Sequence, residues 1–185
     1  MNAIWPDIPF KAWQETCSAL HLYCQIVGKY RLARTPWVNH SWHATFYVNA
    51  RGLTTSLIPD ATGVEIIFDL INHTVVGETA EGRRAEIPLG PMSVAEFHAR
   101  FRELVERLGG TPEFDGRPNE VADAIPFRDD RQRRPYDATA VTRFLTIWAA
   151  KMMGSVTLRS NSCRSSLRST KSISEVFTIS KSDEV

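Results

Sequence analysis

The stretch from Val64 to Leu89 limits the fold more than any other part of this chain. It opens with the apolar run VEIIFDLI, turns at Asn72-His73, returns over Thr74 to Thr79, turns again at Glu81-Gly82 and runs on from Arg84 to Leu89. Strands joined by connections this short lie antiparallel, because a parallel pair needs a crossover of a dozen residues or more. The segment is therefore read as an antiparallel meander. A second alternating run precedes it. Between His43 and Arg51, Ala44, Phe46, Val48 and Ala50 take one face, and His43, Thr45, Tyr47, Asn49 and Arg51 take the other. Gly52 breaks this strand, and Leu53 to Ile58 resume it before Pro59.

Helices flank the strands. Directly after the meander, Ser93 is placed to cap a helix, Glu96 to complete the reciprocal capping box, and Met92 and Phe97 to form a hydrophobic staple. Val94, Phe97, Phe101, Leu104 and Leu108 make its buried stripe, and Gly109-Gly110 end it. An earlier helix spans residues 10–31, with Phe10, Trp13, Cys17, Leu20, Cys24 and Val27 at three- and four-residue steps. A last helix begins after Asp137 and carries Val141, Phe144, Leu145 and Trp148 on one face. Residues 111–115 read as one more short strand, and Gly116 to Tyr136, with three prolines and the run RDDRQRR, as a long loop. The fold class is α+β: an antiparallel sheet of about five strands with helices packed on it.

The 185 residues are enough for one domain with a real core. Residues 1–150 are read as that domain. From Lys151 the composition changes: 13 of the last 35 residues are Ser or Thr, and no apolar period is sustained. The charge balance changes with it. Residues 1–150 hold 16 Lys+Arg against 18 Asp+Glu, or −2, while 151–185 hold 6 against 3, or +3. The tail is expected to be disordered or out of frame.

Several function classes are set aside. No apolar run reaches transmembrane length, and the N-terminus has no basic start followed by an apolar stretch, so no membrane and no secretory signal are expected. Cys17 and Cys24 sit seven residues apart on one helix, roughly 10 Å of rise, which excludes a disulfide. With Cys163 they are read as thiols in a reducing cytoplasm. No phosphate-binding glycine loop and no GxSxG elbow occur around the Thr54-Thr55-Ser56 hydroxyls. The Arg128–Arg134 run is interrupted by two aspartates and reads as a solvated loop, so no nucleic-acid partner is expected.

The chemistry-bearing residues concentrate between Leu20 and Pro59, which hold three of the five histidines. His21 lies about 40° from Cys17 on a helical wheel and is expected to face the sheet. It is either a satisfied helix histidine or an acid/base group in a cleft. Gly28 is either a close-approach point or a fraying helix end. His40 and His43 invite a metal only if they lie in a turn, since on a strand they point to opposite faces, and no metal is assigned. Lys29, Arg31 and Arg51 are candidates for an anion pocket, with Arg the better bidentate partner. The site expected from the residues has His21 and His43 as candidate catalytic groups. Gln25, Lys29, Tyr47 and Arg51 line it, and Asn39 and His40 stand at its mouth. The ligand is a small molecule with Arg51 holding its anionic group. Cofactor and oligomeric state are left unknown. The competing expectation is an interaction or scaffold domain in which the same polar side chains form a buried structural network.

The chain also resembles a family of mainly bacterial proteins known as a domain of unknown function. The resemblance rests on four motifs: W-x-x-I/L-P-x-x-x-W at Trp5 to Trp13, T-L-H-x-x-x-Q-I-V-G-K-x-R-L ending at Leu32, N-H-x-W-H at Asn39 to His43, and A-R-G-L-T-T-S-x-I-P ending at Pro59. Ala19 departs from the usual threonine. The resemblance covers roughly residues 4–150 and implies no established activity. It also implies a longer chain, continuing into a segment of the type S-P-V-H-F-F-W-G-S-F-D-L, which residues 151–185 do not resemble. A frameshift near Ala150 is one expectation from this, and a genuine divergent tail is the other. Translation of the two other reading frames past that codon separates them.

Overall fold

The computed structural model of the chain describes residues 9–37, 45–119, 121 and 123–157. It is an α+β fold. The elements run α1 (Phe10–Arg34), β1 (Tyr47–Asn49), β2 (Gly52–Ile58), β3 (Val64–Asp69), β4 (Thr74–Thr79), β5 (Arg84–Pro88), β6 (Met92–Ser93), α2 (Val94–Arg107), β7 (Arg133–Arg134) and α3 (Ala138–Thr157). The first five strands form one antiparallel sheet in the order β1-β2-β3-β4-β5, and β6 pairs with β7 in a two-stranded ladder.

The meander forms where the sequence places it, in continuous register from Val64↔Thr79 to Asp69↔Thr74 and from Thr74↔Pro88 to Glu78↔Arg84. Its first turn is longer than two residues. The carboxylate of Asp69 accepts from the backbone N–H groups of Ile71 and Asn72, so the chain leaves the ladder at Asp69 and returns at Thr74. Val64, Ile66, Phe68, Val75 and Ile87 fill one face of the sheet. Helix α2 packs on that face across Gly77, where a Cβ would stand 2.6 Å from Leu108 and 2.7 Å from Leu104.

The first hairpin differs from expectation. The strand expected over His43 to Arg51 is confined, within the described residues, to Tyr47–Asn49. The side chain of Asn49 accepts from the N–H groups of both Arg51 and Gly52 and so bends the chain at Ala50-Arg51. Gly52 therefore starts β2 rather than interrupting one long strand. Its φ is +150°, and a Cβ there would overlap the carbonyl oxygen of Phe68. Farther along β2 the register shifts between Thr54 and Leu57. Thr54 Oγ1 accepts from Ser56 N–H, and Thr55 Oγ1 accepts from Ile66 N–H. These two threonine hydroxyls are consumed by a bulge.

Helix α2 begins as expected on Ser93, whose Oγ accepts from Glu96 N–H at 3.1 Å. The reciprocal half of the box is replaced, because Glu96 pairs with Arg100 one turn on at 2.7 Å. Helix α1 outruns its expected end by three residues. It stops at Arg34 because Thr35 precedes a proline, and Thr35 closes it with two bonds to the Arg31 carbonyl. Asp137 Oδ1 caps α3 through Ala140 N–H. That helix continues to Thr157, past Lys151, where the change of composition was expected to end the ordered domain. Residues 111–115 are not a strand. Their carbonyls at Thr111 and Glu113 accept instead from Arg34 of α1.

From Leu22 to Arg31, α1 is buried on every side. Tyr23, Ile26, Val27 and Tyr30 face the core, with Tyr23 stacked on Phe97 at 4.2 Å and Tyr30 edge-on to Phe101 at 5.6 Å. That leaves Gln25, Lys29 and Arg31 buried on the other sides, where each needs a partner.

Candidate functional site

The partners of Gln25 and Lys29 come from the loop after α2. Gln25, 3% exposed, makes two bonds to the backbone of Asn119: its Nε2 donates to the carbonyl at 2.9 Å and its Oε1 accepts the N–H at 2.7 Å. Lys29, 4% exposed, donates to Asp115 Oδ2 at 2.5 Å and to Asn119 Oδ1 at 3.0 Å. His21 Nε2 lies 3.2 Å from Gln25 Nε2. The three residues are spaced by four along α1 and so form one row up the helix. The row faces residues 115–119, not the sheet as expected for His21, which is half-buried. The sheet-facing arc is already taken by Tyr23, Ile26, Val27 and Tyr30.

The structure thus brings together His21, Gln25 and Lys29, and adds Asp115 and Asn119, which sequence reasoning missed. It separates Tyr47 and Arg51 from them. Tyr47 points away from the buried Phe46 and is half exposed, with the Arg31 guanidinium 5.3 Å from its ring centre. Arg31 also donates to the Thr45 carbonyl, and its Nε has no hydrogen-bond partner among the described residues. Arg51, expected to hold an anionic ligand, lies in the β1–β2 turn with its Nε 2.7 Å from Asp69 Oδ2. Burial pushes the Asp69 carboxyl up, but the N–H of Asn72, the Arg51 guanidinium and the N–H of Ile71 together hold it below its ordinary value. Arg51 is thereby committed to fixing two turns. Asn39, His40 and His43 lie outside the described residues.

A parallel anchor stands farther along α1. Tyr30 Oη donates to Asp60 Oδ2 at 2.9 Å, and Thr111 N–H donates to the same oxygen at 2.8 Å. Gly110 makes room, since a Cβ there would stand 3.0 Å from that carboxylate oxygen. Together the Asp60 and Lys29 clusters fasten both ends of the 111–119 segment to α1.

On its other side this fastened segment walls an open cleft of about 430 Å³ against α2. His98 and Arg102, one turn apart on α2, form one wall, and Phe114, Arg117 and Arg128 come from the loop. The His98 ring sits 5.5 Å from Phe114 and 6.0 Å from Phe127, both centre to centre. Burial pushes its pKa below the ordinary 6.5, and the charges of Arg102 and Arg128 push it further, so the imidazole is mainly neutral at pH 7. The lining carries two carboxylates. Glu113 stands 3.8 Å from Arg102, and Asp115 is neutralised from behind by Lys29. The cleft is left cationic.

A second cleft, of about 520 Å³, lies between the first turns of α1 and residues 132–137. There Lys11 and Arg133 are balanced by Glu15 and Asp137, while Arg134 is held by both oxygens of Asp130. Among the described residues no three of His, Cys, Asp and Glu cluster to hold a metal ion. No helix among them is long and apolar enough to cross a membrane. The sequence did carry one signal for the first cleft: His98 and Arg102 recur at i and i+4, off the apolar stripe of α2.

No curated protein and no solved structure matches the chain. A family model does match, over residues 5–159, from the N-terminal segment to just past the end of α3. The chain belongs to that family, a family of unknown function designated DUF5996.

Proposed function

We propose that this DUF5996 chain binds a small anionic molecule in the cleft between α2 and residues 112–128, held by Arg102, Arg117 and Arg128. One observation carries the reading. Three guanidiniums line a single cleft that holds two carboxylates, one of which, Asp115, is already engaged by a buried lysine. Guanidiniums suit carboxylate and phosphate oxygens because their N–H groups form a planar fork. A volume of about 430 Å³ is of the size that small-molecule sites have. The polar row on α1 then serves as the support of the site rather than its lining. It holds the loop at a fixed distance from α2, as a binding site requires of its surroundings. Cys24, buried and free, and Cys17, also free, support a reducing compartment such as the cytoplasm. The reading is one of binding, and no reaction is assigned.

Thermal-shift and calorimetric titration with inorganic phosphate and with a dicarboxylate, at constant ionic strength, test it. The melting temperature of the wild type rises with either anion, and the rise is lost in the Arg102→Gln/Arg128→Gln double variant. A wild type that responds to neither anion, or a double variant that responds as well, overturns the reading. A second reading, an interaction or scaffold domain, is favoured by the closed bonding of Gln25 and Lys29 to Asn119. On that reading the α1 variants lose stability and no anion raises the melting temperature.

A further inference from the structure

We infer that the ligand of this cleft is a planar organic anion, an aromatic or comparable flat ring bearing a carboxylate or phosphate, rather than a bare inorganic ion. The inference rests on the anion-binding reading above and deepens it. Its ground is the division of the cleft into two kinds of surface.

The inner part is rigid and largely apolar. Phe114 is half-buried, and its ring is fixed edge-on against Tyr30 at 6.3 Å and Phe101 at 6.0 Å. The His98 ring stands edge-on to it. Because burial and two neighbouring guanidiniums keep that imidazole mainly neutral, it presents an aromatic ring and one N–H rather than a fourth formal cation. Pro112 and Pro126 add two further rigid surfaces. None of these four side chains has the long flexible stem that is costly to immobilise when a ligand binds. The outer part is different. Arg102, Arg117 and Arg128 are exposed and end in guanidiniums.

A bare phosphate would meet the guanidiniums and leave the aromatic floor wet. A neutral ring would cover the floor and leave the guanidiniums with only the loose carboxylate contacts they already have, Arg102 to Glu113 at 3.8 Å and Arg128 to Asp129 at 3.6 Å. A ring carrying an anionic group meets both surfaces at once, with ring planes free to stack or to meet edge-on at the spacing of roughly 4.5–7 Å that aromatic pairs prefer.

The test compares phenyl phosphate, benzoate and inorganic phosphate by calorimetry at one ionic strength, on the full chain. Phenyl phosphate binds tighter than inorganic phosphate by about tenfold, which corresponds to roughly 1.4 kcal/mol. Phe114→Leu removes the ring but keeps an apolar side chain, and it cuts that ratio toward one. Because Phe114 also touches the core, the ratio of the two affinities is the readout, and it does not depend on the stability of the variant. As a second measurement, the ring protons of His98 move in the NMR spectrum on addition of phenyl phosphate and not on addition of phenol at the same concentration. Equal affinity for phenyl phosphate and inorganic phosphate overturns this inference while leaving anion binding intact. Binding of neither overturns the anion reading itself.

Discussion

Replacing Lys29 by Met tests whether the α1 row is a support for the loop. Met keeps the apolar stem of the lysine and removes only the ammonium. In the wild type that ammonium is 4% exposed and donates to Asp115 and Asn119. The two losses are unequal. Asp115 is 58% exposed at its side chain, so its carboxylate regains water, and this half of the pair is discounted as a surface ion pair would be. Asn119 is half-buried, and its Oδ1 loses a charge-assisted donor. A hydrogen bond to a charged group contributes about 1.5–3 kcal/mol, and relief of the lysine's own desolvation offsets part of that. The expected net loss is about 1–3 kcal/mol, and for a chain of this size roughly 2–4 °C of melting temperature per kcal/mol. Urea denaturation of wild type, Lys29→Met, Asp115→Asn and the double variant measures it. The order expected is Lys29→Met most destabilised and Asp115→Asn less. Proteolysis within residues 112–128 accelerates in the lysine variant as its fastening is lost. Arg84→Gln, which breaks an exposed pair with Glu78, is the control and costs under about 1 kcal/mol. A Lys29→Met variant as stable as that control, with the loop no more easily cut, refutes the argument.

Three other outcomes are expected. Gly52→Ala destabilises the fold by about 2 kcal/mol or more by chemical denaturation, because φ is +150° and the new methyl overlaps the Phe68 carbonyl. His98 binds its proton less readily in the folded chain than in the unfolded one, owing first to burial and then to Arg102 and Arg128. Stability therefore falls as pH drops below about 6.5 toward the lowered folded value, and a melting-temperature profile from pH 7.5 to 5 is flatter in His98→Gln. Burial of Asp60 opposes its charge, but bonds from the Thr111 N–H, Tyr30, the Thr111 hydroxyl and the Ala61 N–H outweigh it and lower its pKa. Its contribution is present above the ordinary carboxylate value of 3.8 and is lost as pH falls through the lower folded value, so Asp60→Asn shows a smaller acid-induced loss than wild type.

The local part of this structure was legible in the chain because the forces behind it act over a few residues. Alternation and short turns specify the meander from Val64, and the Met92-Ser93 cap with the stripe to Leu108 specifies α2, since both periods follow from backbone geometry alone. The family was legible too, since a family of unknown function was expected over residues 4–150 and a family model of that kind matches residues 5–159. Bends made by side chains reaching back to the backbone were harder to read. Asn49 turned an expected nine-residue strand into a hairpin, and Asp69 lengthened a turn, because each competes with the ladder for the same N–H groups. The placement of the polar residues belonged to tertiary structure altogether. Spacing alone put His21, Gln25 and Lys29 in one row, but it held no information on what would lie opposite. That is decided by a loop 86 to 94 residues away, whose Asp115 and Asn119 satisfy groups that α1 cannot leave buried and unpaired. Arg51 looked equally free to hold an anion until the β3–β4 turn brought Asp69 to it. A buried charge takes whichever partner the fold delivers, and the delivery is set by the packing of the whole core, not by the residues on either side.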